Sequence, residues 1–135
     1  MNNVLLVEDE IIIAGGVEGA FRDKGIEVLA AHSSGEALRR LEAEPRSFLV
    51  LVTDINLGSG ADGFFVAARA RALNPEIHVV YITGRRENVE TAEDNAQIWL
   101  KPFDADDLAH KVNDLLRSER SLRDLNGATQ RAAGR

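Results

Sequence analysis

The chain has 135 residues, of which 44% are hydrophobic and 28% charged, with no cysteine and a net charge of −6. This size and composition are typical of one globular domain that can bury a core without disulfides or a structural metal. Disulfides and thiolate sites are excluded, the acidic charge disfavours nucleic acid as the main partner, and no apolar run reaches the ~20 residues of a membrane span.

Five short apolar segments, rich in Val, Ile and Leu, recur along the chain with little polar alternation. They are residues 4–7, 28–31, 48–52, 79–82 and 98–100. This pattern is typical of strands that are covered on both faces, as in a parallel sheet.

Apolar stripes at helical spacing lie between and after these strands, at residues 13–21, 37–41, 66–73 and 108–116. Gly25 is a good C-terminal cap for the first helix, and Asp104 is a good N-cap for the last. The fourth helix of the alternation is weaker. Residues 85–96 contain only Val89 and two alanines as apolar residues, which predicts a short, loosely packed helix.

The first predicted helix contains Gly15, Gly16 and Gly19, and each glycine costs up to about 1 kcal/mol relative to Ala in a helix interior. Close packing of this helix against the sheet would explain them.

Strands and helices alternate throughout, and crossovers between parallel strands are right-handed. The sequence therefore predicts an α/β fold, a doubly wound five-stranded parallel sheet with helices on both faces, of the flavodoxin-like kind. We expect one domain over residues 1–117. The apolar pattern fades over residues 118–135, which predicts an extension of the last helix followed by a mobile tail.

Polar residues follow four of the predicted strands, at the carboxyl edge where ligands bind in such sheets. They are Glu8, Asp9 and Glu10, then Thr53, Asp54 and Asn56, then Thr83 and Gly84, and finally Lys101 and Pro102. Each alone has an ordinary explanation as a helix cap, a turn residue or a solvated side chain. Together the carboxylates repel one another and raise each other's pKa. A hard cation that prefers oxygen ligands, Mg²⁺ or Mn²⁺, is the simplest relief.

Four segments resemble the motifs of bacterial response-regulator receiver domains, in the order that this family has them. They are VLLVEDE at 4–10, LVTDINL at 51–57, VVYITG at 79–84 and LKPF at 100–103. The resemblance covers residues 3 to about 117. It implies a stand-alone, single-domain receiver of a two-component system, with the receiver version of the fold predicted above.

The resemblance also implies a phosphoacceptor and a metal site. Asp54 is the implied nucleophile, which takes a phosphoryl group from a phosphohistidine or a small phosphodonor. Glu8, Asp9, Asp54 and the backbone carbonyl of Asn56 are the implied ligands of Mg²⁺, with Mn²⁺ as a substitute. Glu8 stands where aspartate is the commoner residue of the family, and the loop after Asp54 is longer and richer in glycine.

Further residues match the family's phosphoryl-binding and switching positions. Lys101 is implied to pair with a phosphoryl oxygen, Thr83 to bind the attached group and Gly84 to leave the pocket open. Pro102 matches the position of a cis peptide bond.

The family's usual switch aromatic, three residues before the lysine, is replaced by Ile98. Trp99 is adjacent to it but, by strand alternation, points to the other face of the sheet. We therefore expect signalling to pass through the loop after Thr83 and the weak helix at 87–94.

The sequence is compatible with three functions. The first is a phosphorylatable signalling module that is not an enzyme beyond its own phosphorylation and dephosphorylation. Its implied partners are a sensor histidine kinase or histidine phosphotransfer protein, and a downstream protein that binds residues 85–116. The second is a phosphorylation-independent binding module of the same fold, which Ile98 favours. The third is an enzyme acting on a small molecule, against which no P-loop is present and no GxGxxG follows the first predicted strand.

The sequence also allows simple predictions about the cellular location and about the three histidines. Glu8, Asp9 and Glu10 interrupt the first apolar stretch, so the start of the chain does not resemble a signal peptide. We expect a cytoplasmic protein without contact to a membrane. His32, His78 and His110 lie on separate elements, and we interpret them as ordinary surface or strand-end residues.

Overall fold

A computed structural model describes residues 3–58, 60–85 and 96–133 of the protein, and side chains as far as residue 119. Within these ranges the chain forms five strands and four helices. In chain order they are β1 (Val4–Val7), α1 (Ile11–Asp23), β2 (Val28–Ala31), α2 (Ser34–Ala43), β3 (Val50–Asp54), α3 (Gly63–Leu73), β4 (His78–Thr83), β5 (Gln97–Leu100) and α4 (Ala105–Ala133). The weak helix predicted at 87–94 lies outside the described residues.

The five strands form one parallel sheet in the order β2-β1-β3-β4-β5, which confirms the predicted fold. The order reverses between β1 and β3, and the two strands end side by side because Val7 pairs with Thr53. The residues that follow, Glu8 and Asp54, therefore start from neighbouring positions at the carboxyl edge. This reversal point is where open α/β sheets bind ligands.

Two apolar cores cover the two faces of the sheet. One joins the sheet to α1 and α4, and the other joins it to α2 and α3. Trp99 packs against the first core and Ile98 against the second. The predicted alternation of these two side chains is confirmed.

The helix ends follow the predicted chemistry. Gly25 has a φ of +75°, and its N–H donates to the carbonyl of Arg22 while that of Ile26 donates to Phe21. This pair of bonds closes α1 as a Schellman motif, which a left-handed glycine permits. At the start of α4, the carboxylate of Asp104 accepts the N–H of Asp106 at 2.8 Å. Both predicted caps are confirmed.

Two features of the helices differ from expectation. Apart from the helix's own backbone, a Cβ added at Gly15, Gly16 or Gly19 would meet no atom of the described residues within 4 Å, so close packing on the sheet does not explain these glycines. The last helix runs to Ala133, through much of the segment where we expected a tail. The domain boundary at residue 117 stays a prediction.

Candidate functional site

The loop after β1 separates its three acids by burial. Glu8 is fully buried, whereas Asp9 and Glu10 are exposed. The N–H of Glu10 donates to Oε2 of Glu8 at 3.2 Å, which folds this loop back over the buried carboxylate. The backbone carbonyl of Glu8 also lies 3.1 Å from Nδ1 of His32, at the end of β2.

Asp54 is the last residue of β3 and is 4% exposed. Its Oδ1 accepts the N–H of Asn56 at 3.1 Å. The hydroxyl of Thr53 donates to the carbonyl of Asp54 at 2.9 Å, and the N–H of Ile55 donates to Ile82 on β4. The carboxylate is thus held at the end of a central strand by groups on both sides of it.

Lys101 connects the two buried acids. Its Nζ lies 2.8 Å from Oδ2 of Asp54, 2.8 Å from Oε1 of Glu8 and 3.7 Å from Oε1 of Glu10. The backbone N–H of Lys101 donates to the carbonyl of Thr83 at 2.8 Å, and this bond positions the lysine beside the end of β4. The peptide bond to Pro102 is cis.

The pKa values follow from this burial. Desolvation raises the pKa of Glu8 to about 7, even though the bond from Lys101 lowers it, and the charge of Asp54 raises it further. Burial alone would lower the pKa of Lys101. Its bonds to Asp54 and Glu8 outweigh that effect and raise the pKa above its ordinary value. The lysine is charged at any physiological pH.

The acidic residues fit a hard cation. Carboxylate oxygens of Glu8, Glu10 and Asp54 lie within 4.8 Å of one another. Oε1 of Glu8 is buried, and the ammonium of Lys101, at 2.8 Å, is its partner among the described residues. A fully buried carboxylate with so little water around it is costly, and a divalent ion with oxygen ligands would stabilise it further.

The described acidic group contains Glu10 and not Asp9. Oδ2 of Asp9 lies beside the loop after β3, where a Cβ on Gly58 would be 3.3 Å from it. The implied ligand roles of Asp9 and of the Asn56 carbonyl stay predictions. Glu10 was expected only as one member of the acidic run and had no role of its own, because three successive acids look equivalent in a sequence.

Gly63 is a site residue that the sequence analysis missed. Its N–H donates to the carbonyl of Ile55 at 2.8 Å, and an added Cβ would overlap the carbonyl oxygen of Asp54. Helix α3 can therefore begin against the end of β3 only with a glycine here. A glycine directly after the N-cap Asp62 was the available signal.

The residues after β4 lie as follows. Thr83 is fully buried, and its hydroxyl accepts the N–H of Arg85 at 3.1 Å. Gly84 is exposed, and a Cβ placed there would meet no atom of the described residues within 4 Å.

An apolar groove of about 400 Å³ adjoins the site. Its lining residues are Ile12, Ile13, Gly16, Val17, Lys101, Pro102, Phe103 and Ala105. Ile12, which lines the groove, is 92% exposed to solvent. Lys101 belongs both to this groove and to the acidic site.

The chain is similar to known signalling proteins. Residues 4–113 match the family model described as response regulator receiver domain. The chain is 33% identical over 138 residues to the nitrogen assimilation regulatory protein NtrX of Azorhizobium caulinodans, covering 96% of this chain and 30% of that protein. It is 30% identical over 120 residues to the response regulator receiver protein CpdR of Brucella abortus, covering 86% of this chain and 98% of that protein.

The fold is also similar to that of solved receiver structures. A response regulator receiver protein from Sinorhizobium medicae WSM419 is 31% identical, with a TM-score of 0.78 over 86% of this chain and 94% of the other. The chain spans only about three tenths of the length of NtrX. None of the helices in the described part of the chain has the length and apolar character to span a bilayer.

Proposed function

Because this chain belongs to the family of response regulator receiver domains, we propose that it accepts a phosphoryl group on Asp54 and so switches the binding of a partner protein. Receiver domains are signalling modules of two-component systems. The observation that carries the proposal is the position of Asp54, a carboxylate at the reversal point of the sheet with Lys101 at 2.8 Å.

The proposed reaction is a displacement at phosphorus. A carboxylate oxygen of Asp54 forms the new P–O bond while the P–N bond of a phosphohistidine breaks, and the donor imidazole leaves with the bonding electrons. A carboxylate nucleophile has no proton to lose in this step, so the reaction needs no base. Lys101 supplies the positive charge that lets an anionic donor approach, and it then faces the phosphoryl oxygens.

The chemistry of the acidic group supports a divalent ion. Glu8, Glu10 and Asp54 are the residues best placed to hold Mg²⁺, or Mn²⁺ in its place, with Asp9 and the Asn56 carbonyl as further candidates. When bound, the ion neutralises phosphoryl oxygens as charge moves during the transfer. Thr83 is proposed to donate its hydroxyl to the attached phosphoryl group, and Gly84 to leave room for it.

Beryllofluoride binding tests this proposal without a kinase, because the complex imitates an aspartyl phosphate. We expect saturable binding in the presence of Mg²⁺, read from the fluorescence of Trp99 and from bound ¹⁹F signals. Asp54→Asn is expected to abolish it. Binding that persists in Asp54→Asn would reject Asp54 as the acceptor.

The second candidate is a receiver that binds its partner without phosphorylation. Ile98 favours it, because this aliphatic residue packs in the second core where the family's switch aromatic is expected. Partner binding that is equal for the wild type, Asp54→Asn and the beryllofluoride complex would support this alternative.

The phosphodonor is proposed to be a histidine kinase or a histidine phosphotransfer protein that docks on the apolar groove. A protein donor must bring its phosphohistidine to Asp54, and the groove is continuous with the site through Lys101. Exposed Ile12 offers the apolar contact for such a surface. The downstream partner is proposed to use residues 85–116.

A charge on the groove separates docking from chemistry. Ile12→Glu is expected to slow transfer from a phosphorylated protein donor at least tenfold and to leave labelling by acetyl phosphate unchanged. Ile12→Leu is the matched control and is expected to behave as the wild type. Equal rates from the protein donor in all three proteins would reject the groove as the docking surface.

Single-domain organisation and a cytoplasmic location stay predictions.

A further inference from the structure

The backbone of Glu8 is held on both sides by the end of β2. Its N–H donates to the carbonyl of Ala31 at 3.0 Å, which is the last bond of the β1–β2 ladder. Its carbonyl lies 3.1 Å from Nδ1 of His32, the next residue. A carbonyl oxygen can only accept, so Nδ1 carries the proton and donates it in this bond. The imidazole therefore takes the place of a further backbone bond of the parallel ladder.

The chain turns away from the sheet directly after His32. Ser33 is the N-cap of α2, and its hydroxyl oxygen accepts the N–H of Glu36 at 3.1 Å. The carboxylate of Glu36 in return accepts the backbone N–H of His32 at 3.1 Å. These two bonds form a capping box in which the acid reaches the residue before the N-cap. They attach the imidazole to the first turn of α2.

The orientation of the Glu8 carbonyl determines how the acidic loop leaves β1. A peptide unit is planar, so the bond from His32 fixes the nitrogen of Asp9 together with the oxygen of Glu8. The directions of Asp9 and Glu10 follow from this plane. Because the carboxylate of Glu8 is fully buried, rotation of the loop towards water would relieve its desolvation. The bond from His32 opposes that rotation.

Resting on the function proposed above, we propose that His32 is a positioning residue of the phosphorylation site, which holds the acidic loop in the arrangement that binds the divalent ion. It acts through the backbone of Glu8, so its loss lowers the affinity for the ion and leaves Asp54 and Lys101 in place. The sequence analysis interpreted His32 as an ordinary residue, because a bond from a side chain to a distant carbonyl has no sequence pattern.

Two uncharged variants separate the hydrogen bond from the charge and size of the imidazole. His32→Phe keeps a ring without a donor, whereas the amide nitrogen that His32→Asn introduces can occupy the position of Nδ1. Free Mn²⁺ is counted by electron paramagnetic resonance during titration of each protein. We expect His32→Phe to bind Mn²⁺ about three- to tenfold more weakly than the wild type, the effect of one hydrogen bond, and His32→Asn to stay within about twofold. Equal affinity of all three proteins, or equal weakening in both variants, would overturn the proposal.

Labelling of Asp54 by acetyl phosphate gives a readout that a general loosening of the fold would not imitate. The Mg²⁺ concentration for half-maximal labelling is expected to rise in His32→Phe by the same factor as the Mn²⁺ dissociation constant. The rate at saturating Mg²⁺ is expected to equal that of the wild type, because Asp54 and Lys101 are unchanged. A lower rate at saturation with an unchanged Mg²⁺ requirement would contradict a role in positioning the acids.

Asn74→Ala is the matched control for stability. Asn74 is buried, and its side chain donates to the backbone carbonyl of Phe48 at 3.2 Å, so this variant also loses one bond from a side chain to a carbonyl beside a strand. Phe48 precedes β3, at the edge of the sheet opposite the site. We expect unfolding at a lower urea concentration and unchanged Mn²⁺ affinity. A weakening as large as that in His32→Phe would mean that destabilisation alone lowers the affinity, and would also overturn the proposal.

The tautomer of His32 tests the bond in the wild-type protein, without a variant that must fold. Two-bond ¹H–¹⁵N spectra of the neutral imidazole are expected to show the proton on Nδ1. A proton on Nε2 would leave Nδ1 with no hydrogen to donate, and would overturn the proposal.

The outcomes for His32 and for the proposed function are distinguishable. If the wild type binds the ion and is labelled on Asp54 but the His32 tests fail, His32 has no positioning role and the proposed function stands. If the wild type binds neither Mg²⁺ nor Mn²⁺, the proposed metal site is rejected together with the role of His32.

Discussion

Glu8 carries the largest electrostatic cost that the described side chains reveal. It has no exposed surface, and burial raises its pKa to about 7 in the folded protein. In the unfolded chain the same carboxyl titrates near its ordinary value of 4.5. Between these two values the folded state holds a proton that the unfolded state has lost. The folded state is therefore progressively destabilised as the pH rises through this window.

Glu8→Gln removes this pH dependence. For the wild type in EDTA, we expect the free energy of unfolding to fall from pH 5 to pH 8 by up to about 3 kcal/mol more than for Glu8→Gln. The loss is complete above the folded pKa. Urea unfolding of both proteins at the two pH values measures it. Parallel pH profiles would show that Glu8 is not the buried acid responsible.

A second test at the scale of one residue concerns Gly63. Gly63→Ala forces a Cβ onto the carbonyl of Asp54, so we expect a loss of about 1–3 kcal/mol in stability and slower labelling of Asp54. Gly19→Ala is the matched control. Its Cβ enters open space within α1, so the fold is expected to gain up to about 1 kcal/mol. Two variants of equal stability would contradict the described start of α3.

At the scale of elements, the first turn of α3 is what holds the loop after Asp54. Asp62 caps this helix, and its Oδ1 accepts the N–H of Phe65 at 2.9 Å. Phe64, in the same turn, packs edge-on against Tyr81 of β4 with ring centroids 5.1 Å apart. The cap therefore stabilises a turn that touches both β3 and β4.

Removal of the cap is expected to lower both the stability of the protein and the rate at which Asp54 is labelled. Asp62→Ala should cost about 1 kcal/mol in unfolding free energy, and it should slow labelling of Asp54 because the turn that abuts it is loosened. Asp62→Asn removes the same charge but can still cap the helix, and it is expected to behave as the wild type. If both variants are slowed equally, the lost charge and not the cap is responsible.

The sequence is informative about these elements wherever a local rule applies. Buried strands, the glycine cap of α1 and the opposite facing of Ile98 and Trp99 all follow from periodicity and backbone preference. The exposed glycines of α1 show the limit of this reasoning. A glycine inside a helix marks an unusual position, but the sequence does not tell whether a neighbouring residue in the fold requires the glycine.

The candidate site could likewise be predicted only in part. Topology brings Glu8, Asp54 and Lys101 to one edge of the sheet, and the order of the strands in the sequence is enough to predict this. Whether Asp9 or Glu10 turns towards them depends on contacts with a loop far away in the chain, where Gly58 lies beside Asp9. The double contact of Lys101 likewise depends on side-chain lengths that meet only after folding.

At the scale of the whole molecule, a net charge of −6 is combined with a lysine enclosed by acids at one edge of a parallel sheet. Apolar cores cover both faces of this sheet. The fold therefore brings together a buried aspartate, a lysine 2.8 Å from it and a group of acids that suits a divalent ion. These are the parts that the proposed phosphoryl transfer to Asp54 needs.

Intact-protein mass spectrometry after incubation with acetyl phosphate tests this account most directly. We predict the mass of one added phosphoryl group in the presence of Mg²⁺, its absence in EDTA, and its absence in Asp54→Asn. An adduct of equal amount in Asp54→Asn, or one that forms as readily in EDTA, would contradict the account.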